Sequence, residues 1–398
     1  MIIWITIFID LMGITLIIPY INDFVADLGG DEQAVGFLLA SYAAMQLLFA
    51  PVWGRISDRI GRRPVIIVGL AASAVAFTIF GSATQLWVLF ASRMLAGIAN
   101  ANISTAQAYV ADISTPSERA GRMGLIGAAF SLGFIVGFPI GGILSTAYGN
   151  QAPAYFAAAI SLLNCLAALV ILPESRSKEE RRAAQLQSAP VSAWRALAVS
   201  LGNVRQFWAR PELSRTLTVF FLFTTAFSVL HVTFVEYGRD ILHISAQERG
   251  FVFMFIGIVG AAVQGLVVKP LAARVGEDRV IELGLLAMAI GLASIPFLRS
   301  VVELYLGAFF VALGNSLVTP AVLAVISMRS GEGEQGVAMG VTQSIGSLGR
   351  ILGPPFGGLT YARINFMFPF LAAAGGALVA LALYASRPRP AGSGVGSR

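Results

Sequence analysis

The sequence predicts an all-α membrane protein in which twelve membrane-spanning helices form two parallel repeats of six. Three observations support this prediction: the composition is strongly apolar, twelve apolar windows follow one another along the chain, and landmarks of the first half recur in the second. Of the 398 residues, 57% are hydrophobic and only 12% are charged. Soluble domains carry about 25% charged residues, so most of this chain is expected to face lipid or other apolar segments.

Each apolar window has the length that a helix needs to cross the hydrocarbon core of a bilayer, about 20 residues. The first window begins at Met1 and has no cleavage site after it, so we expect a retained helix rather than a signal peptide. The twelve windows, called spans 1 to 12 below, lie near residues 1–21, 34–53, 64–82, 86–110, 120–145, 152–172, 215–237, 248–268, 279–298, 301–325, 336–361 and 366–385.

Landmarks of spans 1–6 recur in spans 7–12 at an almost constant offset. This recurrence predicts two six-helix halves with the same orientation, an N-terminal bundle of residues 1–173 and a C-terminal bundle of residues 214–386. The paired landmarks are Gly61 with Gly276, Asn100 with Asn315, and Gly137, Gly141 and Gly142 with Gly353, Gly357 and Gly358.

The two bundles are joined by a predicted cytoplasmic linker, residues 174–213. Its second part carries apolar residues on one helical face, which predicts an amphipathic helix. That helix either lies on the inner membrane surface or packs on the protein, and both interpretations stay open. The tail, residues 387–398, is rich in proline, glycine and serine and is predicted to be disordered. The apolar face of the linker helix consists of Trp194, Leu197, Leu201, Val204 and Trp208.

Basic residues predict the orientation. Most of the 27 lysines and arginines lie in the tail and in the segments that follow even-numbered spans, and such residues are enriched in cytoplasmic loops. Both termini are therefore predicted to be cytoplasmic, in a multi-pass protein of the cell membrane, with the bacterial inner membrane as the expected location. The net charge of +6 does not indicate nucleic acid, because the interleaved aromatic and basic residues of a stacking platform are absent.

Residues that hold metals and cofactors are scarce. The chain has two histidines and a single cysteine, Cys165, so neither an intrachain disulfide nor a Cys–His metal cluster is expected. The phosphate-binding motif G-x-x-x-x-G-K-[ST] and the hydrolase motifs H-E-x-x-H and G-x-S-x-G are absent. We therefore expect no metal, no cofactor, no enzymatic activity and a monomeric chain.

The segment between spans 2 and 3 reads G-x-x-x-D-R-x-G-R-R and forms a short, basic loop between apolar windows. This order of residues closely resembles the signature of the major facilitator superfamily between helices 2 and 3. A basic loop also serves as a topology anchor alone, and that interpretation stays open. The residues of the signature are Gly54, Asp58, Arg59, Gly61 and Arg62.

The resemblance implies a conformational lock at the inner side of the membrane. Asp112, which precedes Arg119 in V-A-D-I-S-T-P-S-E-R, would pair with Arg62. Asp58 would face the N-terminus of span 11, whose partial positive charge favours a carboxylate. The superfamily also implies two parallel repeats that enclose a central cavity and rock around it.

Spans 5 and 11 carry related runs of glycine and proline. They resemble the g-x-x-x-G-P-x-x-G-G signature of antiporters, although the proline of span 5 is displaced by one residue. Small residues allow close packing of membrane helices, and this packing role alone is sufficient to explain the runs. Their residues are Gly133, Gly137, Pro139, Gly141 and Gly142 in span 5, and Gly349, Gly353, Pro354, Gly357 and Gly358 in span 11.

Asp10 is the only acidic residue that the spacing places near the middle of a span. The pattern D-x-x-G-x-x-x-x-x-P, from Asp10 to Pro19, resembles helix 1 of drug:proton antiporters, especially those of the tetracycline-efflux type. A proton-driven exporter needs a group that is charged when exposed to one side and neutral when occluded, so we expect Asp10 to accept a proton or a cationic cargo in alternation, with His231 as a secondary relay. A structural carboxylate that pairs with a neighbouring helix is the alternative.

Further polar side chains recur at helical spacing in spans 4 and 11. Each is costly in hydrocarbon, so we expect them to line the cavity. His231 occupies a position where drug antiporters commonly have a glutamate; it titrates near neutral pH or packs as a neutral side chain. The predicted proton or substrate residues are Asp10, Arg93, Asn100, Gln107, His231, Gln264, Asn315, Gln343 and Arg350.

Three classes of function compete. The favoured class is a secondary active transporter that exports drugs or other small amphipathic molecules in exchange for protons, by alternating access. The second is a proton-coupled symporter or a facilitator that imports a nutrient. The third is a membrane receptor that transports nothing. The partners predicted for the favoured class are a small-molecule substrate, protons and membrane lipids.

Overall fold

The structure is a computed structural model that describes residues 2–101, 103–177, 179, 181–182, 202–331 and 334–386, without the side chains of residues 2 and 212 and of several residues within 116–130. The side chain of Arg119, predicted to belong to the lock, is among those not described. The predicted tail and most of the predicted linker helix, including Trp194, Leu197 and Leu201, also lie outside the described residues.

The helices follow the predicted spans in order through the first half. Spans 1 and 4 each consist of two helices, and the others are continuous. The bounds are Ile2–Thr15 and Ile21–Asp27 for span 1, Glu32–Ile60 for span 2, Arg62–Gly81 for span 3, Leu86–Asn100 and Ile103–Asp112 for span 4, Pro116–Tyr148 for span 5 and Ala152–Ile171 for span 6.

The second half repeats this order. Span 8 contains one turn of π-helix, and span 9 ends in a turn of 3₁₀-helix. The bounds are Pro211–Asp240 for span 7, Ala246–Ala262, Val263–Val267 and Val268–Val275 for span 8, Glu277–Ser294 and Ile295–Phe297 for span 9, Val301–Arg329 for span 10, Gln335–Arg363 for span 11 and Phe368–Ala385 for span 12.

Length and composition allow ten helices of the described chain to cross a membrane. Ile3–Thr15 is a shorter apolar helix. Gln335–Arg363 is long enough but rich in glycine and polar residues, which is expected of a helix that packs against protein on several sides. Large apolar side chains are highly exposed, for example Val170 at 85% and Val302 at 80%. Such exposure suits contact with lipid, and the chain is a multi-pass membrane protein.

The segment predicted as a basic loop is almost entirely helical, which corrects that prediction. Span 2 continues to Ile60 and span 3 begins at Arg62, so Gly61 alone makes the reversal, with φ of 111°. This backbone conformation favours glycine. The apolar window ended at residue 53 because it measures the hydrocarbon crossing, whereas a helix continues into the polar region as long as its backbone remains hydrogen-bonded.

Inside each half, the glycines of spans 5 and 11 allow close helix packing. A Cβ built at Gly353 would lie 2.7 Å from the carbonyl oxygen of Thr225 in span 7, and one at Gly141 would overlap the carbonyl oxygen of Leu16 next to span 1. Larger side chains would push these helices apart. Gly133, Gly137 and Gly141 face span 1 in the same way as Gly349, Gly353 and Gly357 face span 7.

Between the halves, span 5 packs against span 8 and span 2 packs against span 11. Gly142 lies against the backbone of Ala246, and its repeat partner Gly358 lies against the backbone of Glu32. The two contacts are equivalent under the repeat, and both join the N-terminal end of one helix to the C-terminal part of another. Glycines therefore make two kinds of close helix contact, one within each half and one between the halves.

The two ends of the bundle differ. We call the end with the connections after spans 2, 4, 8 and 10 the basic face and the other end the opposite face. At the opposite face, a Cβ at Gly36 would lie 2.5 Å from the carbonyl oxygen of Pro354. Towards the basic face, a Cβ at Gly54, Gly336 or Gly340 would have no neighbour within 4 Å. Gly36 therefore packs against the other half at the opposite face, whereas these three glycines towards the basic face pack against no described residue.

Candidate site between the two halves

Two polar stripes lead from the basic face into the middle of the bundle. On span 4, Gln107 is exposed, whereas Asn100 and Arg93 are buried. On span 11, Gln343 is exposed and Arg350 is half-buried. Exposure decreases along both stripes, as expected for the walls of a cavity that opens at the basic face.

Arg93 lies at the inner end of the first stripe and is only 3% exposed. Its guanidinium lies over the rings of Phe80 and Phe77, at 4.5 Å and 5.4 Å from their centroids. Nε and Nη2 are buried without a hydrogen-bond partner in the part of the chain that the structure describes. A buried donor without a partner costs about 1–3 kcal/mol, and more when it is charged, so an acceptor is expected to bind here.

Two tyrosine hydroxyls lie near this guanidinium, Tyr20 at the end of span 1 and Tyr42 in span 2. Both hydroxyls are buried and have no hydrogen-bond partner among the described residues. The sequence predictions missed these residues. A buried tyrosine hydroxyl normally finds a partner, but the burial of these hydroxyls near Arg93 depends on the tertiary structure.

Asp10 is half-buried in span 1, and its carboxylate faces the hydroxyl of Ser73 in span 3. It lies within electrostatic range of Tyr42, as do Arg93 and Arg350. The structure thus brings the predicted acid and the two predicted arginines to one region. Among the described residues, neither arginine forms an ion pair with Asp10.

The second half contributes Arg350 and His231. Arg350 donates a hydrogen bond to Ser347 Oγ at 2.9 Å and lies near His231. His231 Nδ1 is 3.4 Å from the carbonyl oxygen of Ser228, and its ring meets Phe227 edge-on at a centroid distance of 5.3 Å. His231 therefore has both a packing contact and a place beside a charged group of the cavity.

Asn100, Asn315 and Gln264 were also predicted to line the cavity. Asn100 is buried and donates its amide to the carbonyl oxygen of Ala96, while its Oδ1 has no partner. Asn315, its repeat partner, is half-buried, and no hydrogen bond joins the two. Gln264 is exposed within the π-helical turn Val263–Val267 of span 8.

The predicted lock residues meet at the basic face. Arg62 lies 2.8 Å from Asp58 and 3.1 Å from Asp112, so the predicted Arg62–Asp112 pair is present. Asp58 was expected to face the N-terminus of span 11, but its partners are Arg62 and Arg176 of the first half and linker.

Residues that the sequence predictions overlooked complete this cluster. Glu174 accepts a hydrogen bond from the backbone N–H of Arg62 at 2.8 Å, and a Cβ at Gly61 would overlap the Glu174 carboxylate. In the second half, Arg210 donates two hydrogen bonds to Glu334, at 2.5 and 2.9 Å. The Arg210 guanidinium holds the pKa of Glu334 below its usual range, so this pair stays ionised well below neutral pH.

The opposite face is held closed by polar contacts between the halves. Arg249 is 1% exposed; it forms an ion pair with Asp23 and donates to the carbonyl oxygen of Pro19 at 3.0 Å. Asn22 donates to Glu236 at 2.6 Å. The sequence predictions assigned no role to these residues, although arginines on a face that is otherwise poor in basic residues were a signal.

Three carboxylates of this region, Glu32, Glu236 and Asp240, approach one another within 4.8 Å. Arg239 pairs with all three, at 3.9 Å, 2.6 Å and 2.8 Å respectively. The guanidinium already supplies the positive charge that such a group needs, so the cluster is a salt-bridge network across the two halves rather than a vacant metal site.

The family model of the Major Facilitator Superfamily matches residues 3–276 and 239–398. This chain belongs to the Major Facilitator Superfamily. In that superfamily, six-helix halves related by an axis along the membrane normal enclose the substrate and coupling-ion sites near the bilayer midplane.

Among curated proteins, Multidrug resistance protein 2 of Bacillus subtilis (strain 168) is 32% identical over 378 residues, which cover 95% of this chain and 92% of that protein. The class C tetracycline resistance protein of Escherichia coli is 33% identical over 355 residues, covering 88% and 86%. These similarities extend over both halves. The superfamily member described here is similar to drug:proton antiporters.

Solved structures agree with the fold. The human organic anion transporter MFSD10 (TETRAN) has a TM-score of 0.73 with 25% identity, covering 96% of this chain and 98% of that one. A peptide transporter in complex with sulfate has a TM-score of 0.78 with 14% identity, covering 97% and 93%, and at that identity it supports the fold alone.

Proposed function

We propose that this superfamily member exports small amphipathic molecules in exchange for protons, by alternating access. The proposal is supported by relatives that are named for multidrug and tetracycline resistance. Its central observation is Asp10, a carboxylate of span 1 that faces the hydroxyl of Ser73 and forms no ion pair among the described residues. A carboxylate in such a place can change its charge when access changes, which is what coupling to protons requires.

The orientation completes the proposal. Basic loops favour the cytoplasm, so the basic face is the cytoplasmic one and both termini lie inside, in the inner membrane of a bacterial cell. The observed conformation is then open to the cytoplasm and closed to the exterior. In this state, cargo enters along the polar stripes of spans 4 and 11 and reaches the region of Asp10.

In the reverse conformation, the lock of Asp58, Arg62 and Asp112 would close the cytoplasmic face. The lock already contains its intra-half pairs, and only the approach of span 11 is missing. Asp58 is 41% exposed, so its carboxylate is free to gain a further partner when the halves close.

The transport proposal is tested by Asp10→Asn in proteoliposomes with an imposed pH gradient and a fluorescent amphipathic cargo. The amide keeps the size of the side chain but cannot exchange a proton near neutral pH. We expect gradient-driven transport to fall at least 100-fold, while the protein still folds and cargo exchange without a gradient continues.

The matched control is Asp31→Asn. Asp31 caps span 2 by accepting a hydrogen bond from the backbone N–H of Ala34 at 2.9 Å, and asparagine caps a helix equally well. This variant loses a carboxylate outside the cavity and should transport normally. Full gradient-driven activity in Asp10→Asn would refute the proposal, and import driven by the same gradient would favour a symporter.

A further inference from the structure

The region around Arg93 contains several buried polar groups that can donate a hydrogen bond and have no partner. Arg93 contributes Nε and Nη2, and Tyr20 and Tyr42 contribute their hydroxyls; all four groups are buried without a partner among the described residues. They come from spans 1, 2 and 4, so the tertiary packing of the first half brings them together. A single water molecule could not satisfy a guanidinium edge and two hydroxyls.

The charged side chains of this region also favour an anion. Arg93 and Arg350 both lie within electrostatic range of Tyr42, and Asp10 is the one carboxylate in that range. Within the described residues, neither arginine is neutralised by an ion pair. The Phe77 and Phe80 rings lie under the face of the Arg93 guanidinium, so they leave its edge open to an acceptor.

From these donors, we infer that Arg93, Tyr20 and Tyr42 bind the anionic group of an amphipathic cargo: a carboxylate, a sulfonate or a phosphate. This inference rests on the proposed transport function and names the chemistry of its cargo. A planar guanidinium with free N–H groups matches an oxyanion in geometry, and hydroxyl donors on neighbouring helices complete its coordination. Arg350, which lies near the same tyrosine, adds long-range attraction.

An apolar body would accompany that anionic group. Phe134, Phe227, Leu230 and Phe253 surround a narrow apolar space beside His231, with a volume of only about 10 Å³ in this conformation. His231 lies near Arg350, so these apolar side chains adjoin a charged group. An aromatic acid suits this arrangement, since its oxyanion can accept from the donors and its ring can contact these apolar side chains once they separate.

The test compares two probes that differ mainly in charge, 2-naphthoate and 2-naphthamide, binding to the full-length protein in lipid nanodiscs at neutral pH without a gradient. A hydrogen bond to a charged group contributes more than tenfold in affinity. We expect the wild type to prefer naphthoate by at least tenfold. Tyr20→Phe and Tyr42→Phe should each reduce that preference about tenfold and leave naphthamide binding within twofold.

The control is Tyr155→Phe, which removes an exposed hydroxyl of span 6 and should change neither affinity. Arg93→Lys keeps the positive charge but lacks the planar guanidinium, so it should retain part of the preference for naphthoate. Equal affinity of the two probes for the wild type would overturn the inference, as would equal loss of both probes in the tyrosine variants. Inorganic phosphate that binds as tightly as naphthoate would also overturn it, because the site would then hold a free ion.

The same measurement separates this inference from the transport proposal. Binding is measured without a gradient, so the preference of the wild type for naphthoate does not depend on proton-driven transport. If the wild type prefers naphthoate but shows no proton-driven transport, the anion site is supported and the proposed proton exchange is refuted. If the wild type transports neutral cargo with protons but shows no preference for anions, proton exchange is supported and the anion site is refuted.

Discussion

At the centre of the bundle, some residues of the candidate site can be predicted from their spacing in the sequence, and others become evident only from helix packing. Asp10, Arg93 and Arg350 follow from the cost of charge inside an apolar span, and the structure brings all three near Tyr42. Tyr20 and Tyr42 did not follow, because aromatic residues are common in membrane helices and only the crossing of spans 1, 2 and 4 turns their hydroxyls towards Arg93. The sequence thus shows which side chains are polar, whereas the tertiary structure is needed to show which of them lie close together.

At the same scale, His231 is expected to adjust the pH profile of transport rather than to carry the proton. It lies beside Arg350 and packs on Phe227, so its loss changes the field around the cavity but leaves Asp10 in place. His231→Gln should shift the pH optimum of transport by about half a unit or more and keep at least a tenth of the maximal rate.

The chain supplies a control for this prediction in its second histidine. His243 lies in the connection between spans 7 and 8 with φ of 51°, a conformation that asparagine tolerates well. His243→Asn should leave the pH profile unchanged. An unchanged profile in His231→Gln as well would assign that histidine to packing alone.

Helices and their contacts form the next scale, where the paired glycines are the main finding. The repeat of Gly142 and Gly358 was visible in the sequence, but their contact across the halves was not, because small residues in a membrane helix give no direction to their packing. The sequence also underestimated helix length. Span 2 reaches Ile60, since a helix extends beyond the apolar window that predicts it.

Gly358→Ala should destabilise the closure of the opposite face. Its Cβ would overlap the carbonyl oxygen of Glu32, which is backbone and cannot rotate away. Overpacking of this kind costs about 1–3 kcal/mol, so we expect a population shift away from the observed conformation, detected as faster alkylation of single cysteines placed at this face.

Gly375→Ala is the matched control for that variant. A Cβ at Gly375 in span 12 would have no neighbour within 4 Å, and alanine is the better helix former by up to about 1 kcal/mol. Alkylation should then equal that of the parent protein. Equal alkylation in Gly358→Ala too would show that the contact with Glu32 does not limit opening.

On the scale of the whole molecule, polar contacts between the halves occur at the opposite face. They are the pair of Arg249 with Asp23 and the network around Arg239, whereas the described ion pairs of Asp58, Arg62 and Asp112 join residues of the first half and the linker. The sequence predicted the lock and overlooked the network, because the lock resembles a known signature and the network consists of scattered residues from spans 1, 2, 7 and 8.

Weakening that network should favour the conformation that was not observed. Arg249→Gln removes a buried ion pair and a hydrogen bond to Pro19, and loss of one partner of such a pair costs about 3 kcal/mol. Spin labels at the exposed residues Ile60 and Val337 report separation at the basic face. Double electron–electron resonance should show shorter distances in Arg249→Gln than in the parent.

Arg299→Gln serves as its control, because Arg299 is an exposed residue of the same face whose guanidinium donates to the hydroxyl of Tyr237 in its own half. Its distance distribution should match that of the parent protein. Unchanged distances in Arg249→Gln would mean that glycine packing alone keeps the opposite face closed.

The central claim, that a proton on Asp10 governs the exchange between the two conformations, is tested most directly by the same pair of labels, with Cys165 replaced by serine, at acidic and alkaline pH. In the parent protein, the distance distribution between residues 60 and 337 should change with pH. In Asp10→Asn, it should be the same at both pH values, because the amide does not titrate. A pH-dependent change of equal size in Asp10→Asn would contradict the claim.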